Sequence, residues 1–232
     1  MDFKKEVENL NIFLNSEMEE KFETYFRVLV ETNEKMNLTA ITEKEEVYCK
    51  HFLDSLEITR AIENDSNFTL CDVGSGAGFP AIPLKICFPH LQITIIEPTL
   101  KRIKFLEMLI EKLELKGINL INARAEDVAN QYLEQFDICT ARAVANTSIL
   151  LELLAKMVKV KGRIVLYKGD KGLEESKESL NACKILDLRL IKENVYKLSN
   201  NYGTRCLLEY LKEKSTNNKY PRRYAEIKKR PL

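Results

Sequence analysis

The sequence predicts an α/β protein with a mostly parallel sheet, helices on both faces of that sheet and an N-terminal helical extension. From Phe68 onward, short apolar runs alternate with segments whose apolar residues recur every three or four positions, as strands and crossover helices do. Before Phe68 only the helical period is present. Alternation of this kind places helices over both faces of a parallel sheet.

The N-terminal extension covers residues 1–66. In EMEEKFETYFRVLVETNEKMN the apolar side chains recur at spacings of three and four, which predicts a helix that ends near Met36. Thr42, with Glu45 three residues later, forms a capping box that predicts a second helix through YCKHFLDSLEITRAI. The segment NDSNF, residues 64–68, interrupts this pattern. We therefore place the domain boundary there.

The sheet domain covers residues 67–212. Five strands are predicted in the segments FTLCDV, QITIIE, INLINARAED, FDICTARA and GRIVLYKG. Pro80 and Pro83 fall in the first turn of the helix after the first strand, where a missing N–H costs little. Further helices are predicted over LKRIKFLEMLIEKLEL and NTSILLELLAKMVK. ILDLRLIKENVYKL and RCLLEYLKE predict an antiparallel pair that completes a seven-stranded sheet, and residues 213–232 form a basic C-terminal tail.

Composition excludes several classes of protein. No uninterrupted apolar segment approaches the roughly 18 to 20 residues that a membrane span requires, so we expect neither insertion nor secretion. The six cysteines are scattered and form no CxxC pair, as is usual for buried thiols in a cytoplasmic protein. Two histidines, His51 and His90, without ligand-like spacing predict no metal site. A net charge of +1 leaves room only for a local basic patch.

A glycine-rich turn follows the first predicted strand, in LCDVGSGAGFPAIPLK. In an open sheet of this type a ligand lies beyond the carboxyl ends of the strands, where Gly74, Gly76 and Gly78 fall. Glycine suits such a turn because it accepts positive φ angles and lets the backbone approach a ligand. Glu97 ends the second strand, at the position from which a carboxylate accepts hydrogen bonds from both ribose hydroxyls. The ligand is therefore predicted to contain a ribose.

The turn departs from the two common phosphate-binding motifs. Its GSGAG spacing differs from the dinucleotide fingerprint GxGxxG, and no GK[ST] follows. Asp72 would repel a pyrophosphate but suits the ammonium and sulfonium of S-adenosylmethionine. Ala125 and Glu126, after the third strand, would contact a further part of the same ligand. Simpler roles stay open: Asp72 as a turn cap, Glu97 as a solvated strand end, and Glu126 as a favourable acid at a helix start.

Five motifs together resemble one known family. They are NLT (37–39), HFLDS (51–55), DVGSGAGFPAIPL (72–84), ARAED (123–127) and TARAVA (140–145). The combination resembles ribosomal RNA small subunit methyltransferase G, also called glucose-inhibited division protein B. The resemblance runs from about Asn37 to the C-terminus, and GFPxIPL is specific to this family among methyltransferases. It implies a Rossmann-like class I S-adenosylmethionine-dependent methyltransferase that acts on N7 of one guanine in bacterial 16S rRNA.

The resemblance also implies roles for individual residues. Cofactor contacts are expected at Gly74, Phe79, Ala125, Glu126 and Arg142, beside Asp72, Gly76, Gly78 and Glu97 from the residue pattern. Arg124 and Arg142 are expected as catalytic residues near the reaction centre. Guanine N7 carries an in-plane lone pair at neutral pH, so no base is needed and proximity and alignment remain the enzyme's task. The two arginines are therefore assigned to RNA phosphates, guanine O6 or the methionine carboxylate, with ordinary surface arginines as the alternative.

The end of the chain is strongly basic. Glu226 alone opposes its five cations, Arg222, Arg223, Lys228, Lys229 and Arg230. We interpret these residues as a clamp on RNA phosphates, with a solvated terminus as the alternative. Tyr220 and Tyr224 either stack on unpaired bases or pack on the domain. The expected partner is 16S rRNA or the 30S subunit, and the protein is expected to be a monomer.

Three classes of function stay open at this point. They are an RNA methyltransferase, a nicotinamide-dependent oxidoreductase of the same fold, and a ribosome-assembly factor that binds RNA without catalysis. Asp72 and the glycine spacing favour the first over the second, and only an activity assay separates the first from the third. His51 and Asp54, three residues apart on a predicted helix, allow a catalytic role, but we favour a histidine paired with a carboxylate one turn away.

Overall fold

The computed structural model describes residues 1–62 and 67–232. Residues 64–66 of the predicted boundary segment 64–68 lie outside the described residues. Before this gap the described chain is helical, and after it the first strand begins at Thr69. The division into an extension, a sheet domain and a tail stays a prediction.

The N-terminal extension begins with two helices. They are α1 (Phe3–Glu8) and α2 (Ser16–Met36). Asn15 caps α2, because its side chain accepts a hydrogen bond from the N–H of Met18 at 2.9 Å. Asn37 ends the helix in the left-handed conformation, at a φ of 50°. The predicted end of this helix near Met36 is confirmed.

The second predicted helix is a succession of short segments with different pitch. It comprises α3 (Lys44–Val47), a π-helical turn (Tyr48–Leu53), α4 (Asp54–Leu56) and a 3₁₀ turn (Glu57–Arg60). The predicted capping box is wrong, because Glu43 rather than Thr42 occupies the capping position and no side chain of the described residues caps the helix. π-helical turns are frequent at functional sites, and this one contains Lys50 and His51.

Seven strands in the described part of the chain form one sheet. They are β1 (Thr69–Val73), β2 (Gln92–Ile96), β3 (Ile118–Ile121), β4 (Phe136–Arg142), β5 (Val158–Lys168), β6 (Leu188–Lys197) and β7 (Thr204–Lys212). Their order is β3-β2-β1-β4-β5-β7-β6. The pairings among β1 to β5 are parallel, and β7 is antiparallel to both β5 and β6. The mostly parallel sheet with an appended antiparallel hairpin is confirmed.

Helices connect the strands and cover both faces of the sheet. They are α5 (Ala81–Cys87), α6 (Leu100–Lys112), α7 (Ala125–Val128), α8 (Thr147–Leu154), α9 (Gly172–Glu178), α10 (Leu180–Leu186) and α11 (Tyr224–Lys229). Pro80 and Pro83 flank the start of α5, as predicted. No periodic signal predicts α9, because Leu173 is the one large apolar residue in its sequence GLEESKE.

Two apolar cores lie against the sheet. Along β1, Leu70 belongs to a core shared with α2, α5 and α6, and Cys71 belongs to a core shared with α8 and α10. This alternation follows from the two-residue period of a strand. Tyr220 and Ile227 of the C-terminal tail are buried in the second core. Burial of a side chain such as Ile227 stabilises its segment by about 2 kcal/mol, so the tail is docked on the domain.

The structure also describes the cysteines, the longest helices and the side chains that could bind a metal ion. All six cysteines are buried free thiols. Within residues 1–62 and 67–232, no helix is both long and apolar enough to cross a bilayer. The same residues contain no group of three or more side chains arranged to bind a metal ion.

Candidate active site

Two cavities adjoin at the carboxyl ends of the central strands. The first, which we call the glycine-turn cavity, has a volume of about 280 Å³, and its lining includes Gly74, Glu97, Ala125, Glu126 and Tyr224. The second, the arginine cavity, has a volume of about 340 Å³, and its lining includes Lys50, His51, Asp54, Arg142, Lys168 and Glu175. Ala143, directly after β4, lines both cavities. Ligands in the two cavities would therefore meet beside this residue.

A third cavity lies at the other edge of the sheet. It has a volume of about 380 Å³ and is lined by Phe68, Lys159 and Arg163 among others. These residues lie near the amino ends of β1 and β5. Open α/β sheets bind their ligands at the carboxyl ends of the strands, so the two adjoining cavities form the candidate active site.

Two glycines hold the turn open at the first cavity. Gly74 has a φ of 73°, and its N–H donates to the carbonyl oxygen of Ile96 at 2.8 Å. A Cβ at Gly74 would lie 2.6 Å from a methyl carbon of Val144, across the cavity. Gly76 has a φ of 62°, and a Cβ there would meet no atom within 4 Å. The turn therefore requires glycine for its conformation, and at Gly74 also for space.

The next two predicted contacts face the protein interior. A Cβ at Gly78 would lie 2.6 Å from Ile82 and 2.8 Å from the hydroxyl of Tyr25, so this glycine permits close packing against α2 and α5. The Phe79 ring is stacked on Tyr25 and on His51, with ring centres 5.4 and 4.5 Å apart. The side chain of Phe79 therefore supports the site from behind.

Asp72 lies beneath the glycine turn and is fully buried. Its Oδ2 accepts hydrogen bonds from the hydroxyl of Ser75 at 2.5 Å and from the N–H of Ala81 at 3.3 Å. Its Oδ1 has no hydrogen-bond partner among the described residues. Burial raises the pKa of this carboxyl to about 7, against the lowering effect of those two hydrogen bonds. An orphaned acceptor at this position fits a ligand that brings a donor.

Glu97 closes the opposite wall of the glycine-turn cavity. Its Oε2 accepts from the N–H of Gly76 at 3.1 Å and lies 3.5 Å from Nη1 of Arg102, and its Oε1 accepts from the N–H of Thr99 at 3.0 Å. A carboxylate has about four acceptor positions, so one remains for a ligand hydroxyl. The sequence did not single out Arg102, although its place in the first turn after β2 brings it to Glu97.

The third strand and the tail complete this cavity. Ala125 and Glu126 begin α7 and line the cavity, and their contact with a cofactor stays a prediction. The exposed Arg124 guanidinium lies 5.5 Å from the ring centre of Tyr224, the first residue of α11. Tyr224 also lines the cavity. The basic tail therefore reaches the candidate site, which no local sequence signal indicates.

Arg142, the last residue of β4, is held by the N-terminal extension. Its Nη1 donates to Oδ2 of Asp54 at 2.9 Å and to the carbonyl oxygen of Lys50 at 3.1 Å. Its Nη2 donates to Nδ1 of His51 at 3.2 Å, and the guanidinium lies 5.0 Å from the centre of the Phe79 ring. Three of its five N–H groups are occupied in this way, so two remain for a ligand.

His51 and Asp54 each contact Arg142, and the predicted pairing of these two side chains with each other is wrong. Because Nδ1 of His51 accepts from the arginine, its proton is assigned to Nε2, which donates to Oγ1 of Thr39 at 2.9 Å. Burial, together with the Arg142 charge, lowers the pKa of His51 to about 3. Oδ1 of Asp54 accepts from the hydroxyl of Tyr196 at 2.8 Å. The motifs NLT, HFLDS and TARAVA therefore meet in one hydrogen-bonded network.

The basic residues of the tail divide into two groups. The Arg222 guanidinium donates to both oxygens of Glu152, at 2.8 and 2.5 Å, and its N–H donates to Oε1 at 2.9 Å. Glu152 is fully buried, so Arg222 neutralises a buried charge and fixes the tail. The other four predicted cations, Arg223, Lys228, Lys229 and Arg230, are exposed.

A family model described as rRNA small subunit methyltransferase G matches residues 18–202 of this chain. The chain belongs to this family. The ribosomal RNA small subunit methyltransferase G of Lysinibacillus sphaericus is 43% identical over 232 residues, which cover 99% of this chain and 98% of that protein. The protein of the same name from Bacillus cereus is 44% identical, with 99% of this chain and 97% of that protein covered.

Solved structures resemble the fold of this family member at low sequence identity. M. jannaschii TYW2 in complex with AdoMet has a TM-score of 0.53 at 21% identity, over 68% of this chain and 74% of that one. Precorrin-6y C5,15-methyltransferase from Geobacter metallireducens has a TM-score of 0.54 at 14% identity, over 75% of this chain and 90% of that one. The predicted Rossmann-like class I methyltransferase fold is confirmed.

Proposed function

We propose that this protein transfers the methyl group of S-adenosylmethionine to N7 of a guanine in 16S rRNA. The observation that carries the proposal is the pair of cavities that meet at Ala143, one beside the glycine turn and one beside Arg142. A methyl transfer needs a donor and an acceptor in direct contact, without water between them. Membership of the rRNA small subunit methyltransferase G family supports both the cofactor and the substrate.

The residues of the glycine-turn cavity suit S-adenosylmethionine. Glu97 keeps an acceptor position for the ribose hydroxyls, and the open space beside Gly76 leaves room for the methionine portion. Asp72 does not line the cavity, but its buried Oδ1 beneath the turn is the acceptor that we assign to the ammonium of the ligand. We assign the adenine to the wall of this cavity that Ala125, Glu126 and Tyr224 line.

The chemical step requires alignment and no proton transfer. S-adenosylmethionine, when bound, supplies an electrophilic methyl group on a sulfonium. Transfer to N7 would form an N–C bond as the C–S bond breaks with its electrons staying on sulfur, so the positive charge would pass from sulfur to the base. Arg142 keeps two N–H groups for the guanine O6, an RNA phosphate or the methionine carboxylate. His51, with a pKa lowered to about 3 by burial and the Arg142 charge, is a neutral positioning group.

The proposed RNA surface begins beside the glycine-turn cavity, which Arg124 and the tail residue Tyr224 both line. Arg124 and the exposed tail residues Arg223, Lys228, Lys229 and Arg230 supply positive charge for phosphates. Arg222 is left out of this proposed clamp because Glu152 occupies its guanidinium. Tyr224 belongs to the tail and lines the glycine-turn cavity. The tail therefore adjoins the proposed cofactor site as well as the proposed RNA surface.

The proposal is tested with purified protein, S-adenosylmethionine labelled in its methyl group, and two substrates that lack the modification: free 16S rRNA and 30S subunits. Chemical cleavage at N7-methylguanine should map one labelled position in at least one substrate. Arg142→Ala should lose the label, and Glu174→Gln, an exposed change on α9, should retain it. RNA binding with no label would support the assembly factor, and tight NAD binding with no response to S-adenosylmethionine would support the oxidoreductase.

A further inference from the structure

The arginine cavity contains a lysine and a carboxylate that the proposed methyl transfer does not use. Nζ of Lys168, at the end of β5, donates to Oε2 of Glu175 at 2.6 Å and to the carbonyl oxygen of Ala145 at 2.8 Å. Oε2 of Glu175 also accepts from the N–H and the hydroxyl of Thr147, at 2.8 and 2.9 Å. The side chains of Lys168 and Glu175 are 6% and 25% exposed, and both line the cavity.

One donor and one acceptor of this pair remain for a ligand. A lysine ammonium has three N–H groups, and two of those on Lys168 are occupied. Oε1 of Glu175 accepts no hydrogen bond from the residues that the structure describes. Burial opposes ionisation of Glu175, but the hydrogen bonds from Lys168 and Thr147, with the Lys168 charge, outweigh it and lower the pKa of this carboxyl. At neutral pH the carboxylate is therefore an acceptor beside a donor.

This order of donor and acceptor matches one purine. On its Watson–Crick edge guanine presents the O6 acceptor beside the N1–H donor, whereas adenine presents an amino donor beside the N1 acceptor. Enzymes that modify a base read this edge in a pocket. We propose that Lys168 and Glu175 select guanine in the arginine cavity, with Lys168 donating to O6 and Glu175 accepting from N1–H. This inference rests on the proposed function, because the arginine cavity must receive the acceptor base.

The same arrangement leaves the reacting atom accessible. N7 neighbours O6 on the opposite side from N1, so a guanine held at O6 and N1 has N7 free to face the wall at Ala143 that the two cavities share. Adenine in this position would leave Glu175 against a lone pair and Lys168 against an amino group. Unpaired polar groups of this kind give strong discrimination.

The experiment combines base analogues with a matched pair of variants. Single-turnover methyl transfer is measured at saturating S-adenosylmethionine on 16S rRNA that carries guanine, inosine or 2-aminopurine at the mapped position. Inosine keeps O6 and N1–H, so the wild type should methylate it within a few-fold of guanine. 2-Aminopurine lacks both groups but keeps N7, so its rate should fall about 10- to 100-fold.

Glu175→Gln should slow transfer to guanine by about 10- to 100-fold and remove most of the preference for guanine over 2-aminopurine. Its matched control is Glu174→Gln, on the same helix but exposed, which should behave as the wild type. Equal wild-type rates on guanine and 2-aminopurine would overturn the inference without any variant, even if Glu175→Gln fails to fold. Failure of the wild type to methylate guanine in any rRNA substrate would instead overturn the proposed function itself.

Discussion

Asp54→Asn tests whether the N-terminal extension positions Arg142. The substitution keeps the size of the side chain and one acceptor oxygen, but it removes the charge that faces the Arg142 guanidinium at 2.9 Å. Only 5% of the Asp54 side chain and 13% of the Arg142 side chain are exposed. Breaking a buried charge pair costs about 3–5 kcal/mol when nothing compensates. Because Arg142 keeps its bonds to Lys50 and His51, we expect a loss of about 2–3 kcal/mol in the free energy of unfolding.

Thermal unfolding and single-turnover methyl transfer measure the two consequences. In a protein of this size about 1 kcal/mol corresponds to roughly 2–4 °C in Tm, so Asp54→Asn should lower Tm by about 4–12 °C. Transfer at saturating cofactor, assayed well below that Tm, should also slow, because the guanidinium is no longer fixed. Tyr196→Phe removes the other hydrogen bond of Asp54 and should cost less, about 1 kcal/mol.

Glu213→Gln is the matched control. Glu213 pairs with Arg189 at 2.8 Å, but both side chains are exposed, by 44% and 57%. Exposed ion pairs contribute little because solvent and salt screen them, so Tm and transfer rate should stay at wild-type values. Equal Tm shifts in the two variants would refute the buried-pair argument. A lower Tm with an unchanged transfer rate in Asp54→Asn would refute the positioning role alone.

Three further predictions concern the cofactor, pH and RNA. Gly74→Val should abolish S-adenosylmethionine binding in calorimetry, because its side chain would collide across the cavity and strain a φ of 73°; tight binding by this variant would contradict the assignment. Burial raises the pKa of Asp72 to about 7 in the folded protein, whereas an aspartate in the unfolded chain has a pKa of about 4. The folded protein therefore binds this proton more tightly, which stabilises it fully below about pH 4. This stabilisation is lost as the pH rises to about 7. Asp72→Asn should remove this component, measured as the difference between the denaturant midpoints at pH 5 and pH 8, and an unchanged difference would show that the carboxyl is ionised throughout. Replacing Lys228, Lys229 and Arg230 together by glutamine should weaken RNA binding, reduce the slope of log affinity against log salt by about 2 and leave cofactor affinity unchanged; an unchanged slope would favour the solvated terminus.

The parts of the fold that the sequence predicts are those with a local signal. The period of α2, four of the apolar strand segments and the glycine turn each lie within one short stretch, and the structure has them where the sequence places them. The predicted strand INLINARAED is too long, because β3 ends at Ile121 and Ala125 begins α7. The predicted helix NTSILLELLAKMVK is also too long, because α8 ends at Leu154 and Val158 already belongs to β5. Thr42 shows the limit of such signals, since its capping box is present in the sequence while Glu43 occupies the cap. Two short helices with few periodic apolar residues, α9 and α11, depend on packing against the domain, as buried Ile227 shows.

The position of the candidate site at the strand ends could be predicted from the sequence, but the contacts among its side chains could not. Glu97 and the glycines follow from the strand order, because neighbouring parallel strands end at one edge of the sheet. Asp54 lies 88 positions from Arg142, so no spacing rule brings them together. The sequence also could not show what the side chain of Phe79 packs against. The family resemblance implies a cofactor contact at this residue, whereas in the structure its ring is stacked on His51 and Tyr25. Whether it also touches the cofactor stays a prediction.

The charge of Arg142 is as important to the proposed reaction as its geometry. Methyl transfer moves a positive charge from sulfur to N7, so an unpaired cation that lies nearer to N7 than to sulfur opposes the step. The full repulsion at about 4 Å in a partly buried site, about 4 kcal/mol, is the upper bound of this effect. Asp54, at 2.9 Å from the guanidinium, cancels much of that field, and neutral His51 adds none. Arg142 therefore offers directed N–H groups with little net charge. This is why Asp54→Asn should slow the chemical step even at a temperature where the variant is fully folded, whereas binding of S-adenosylmethionine should change less.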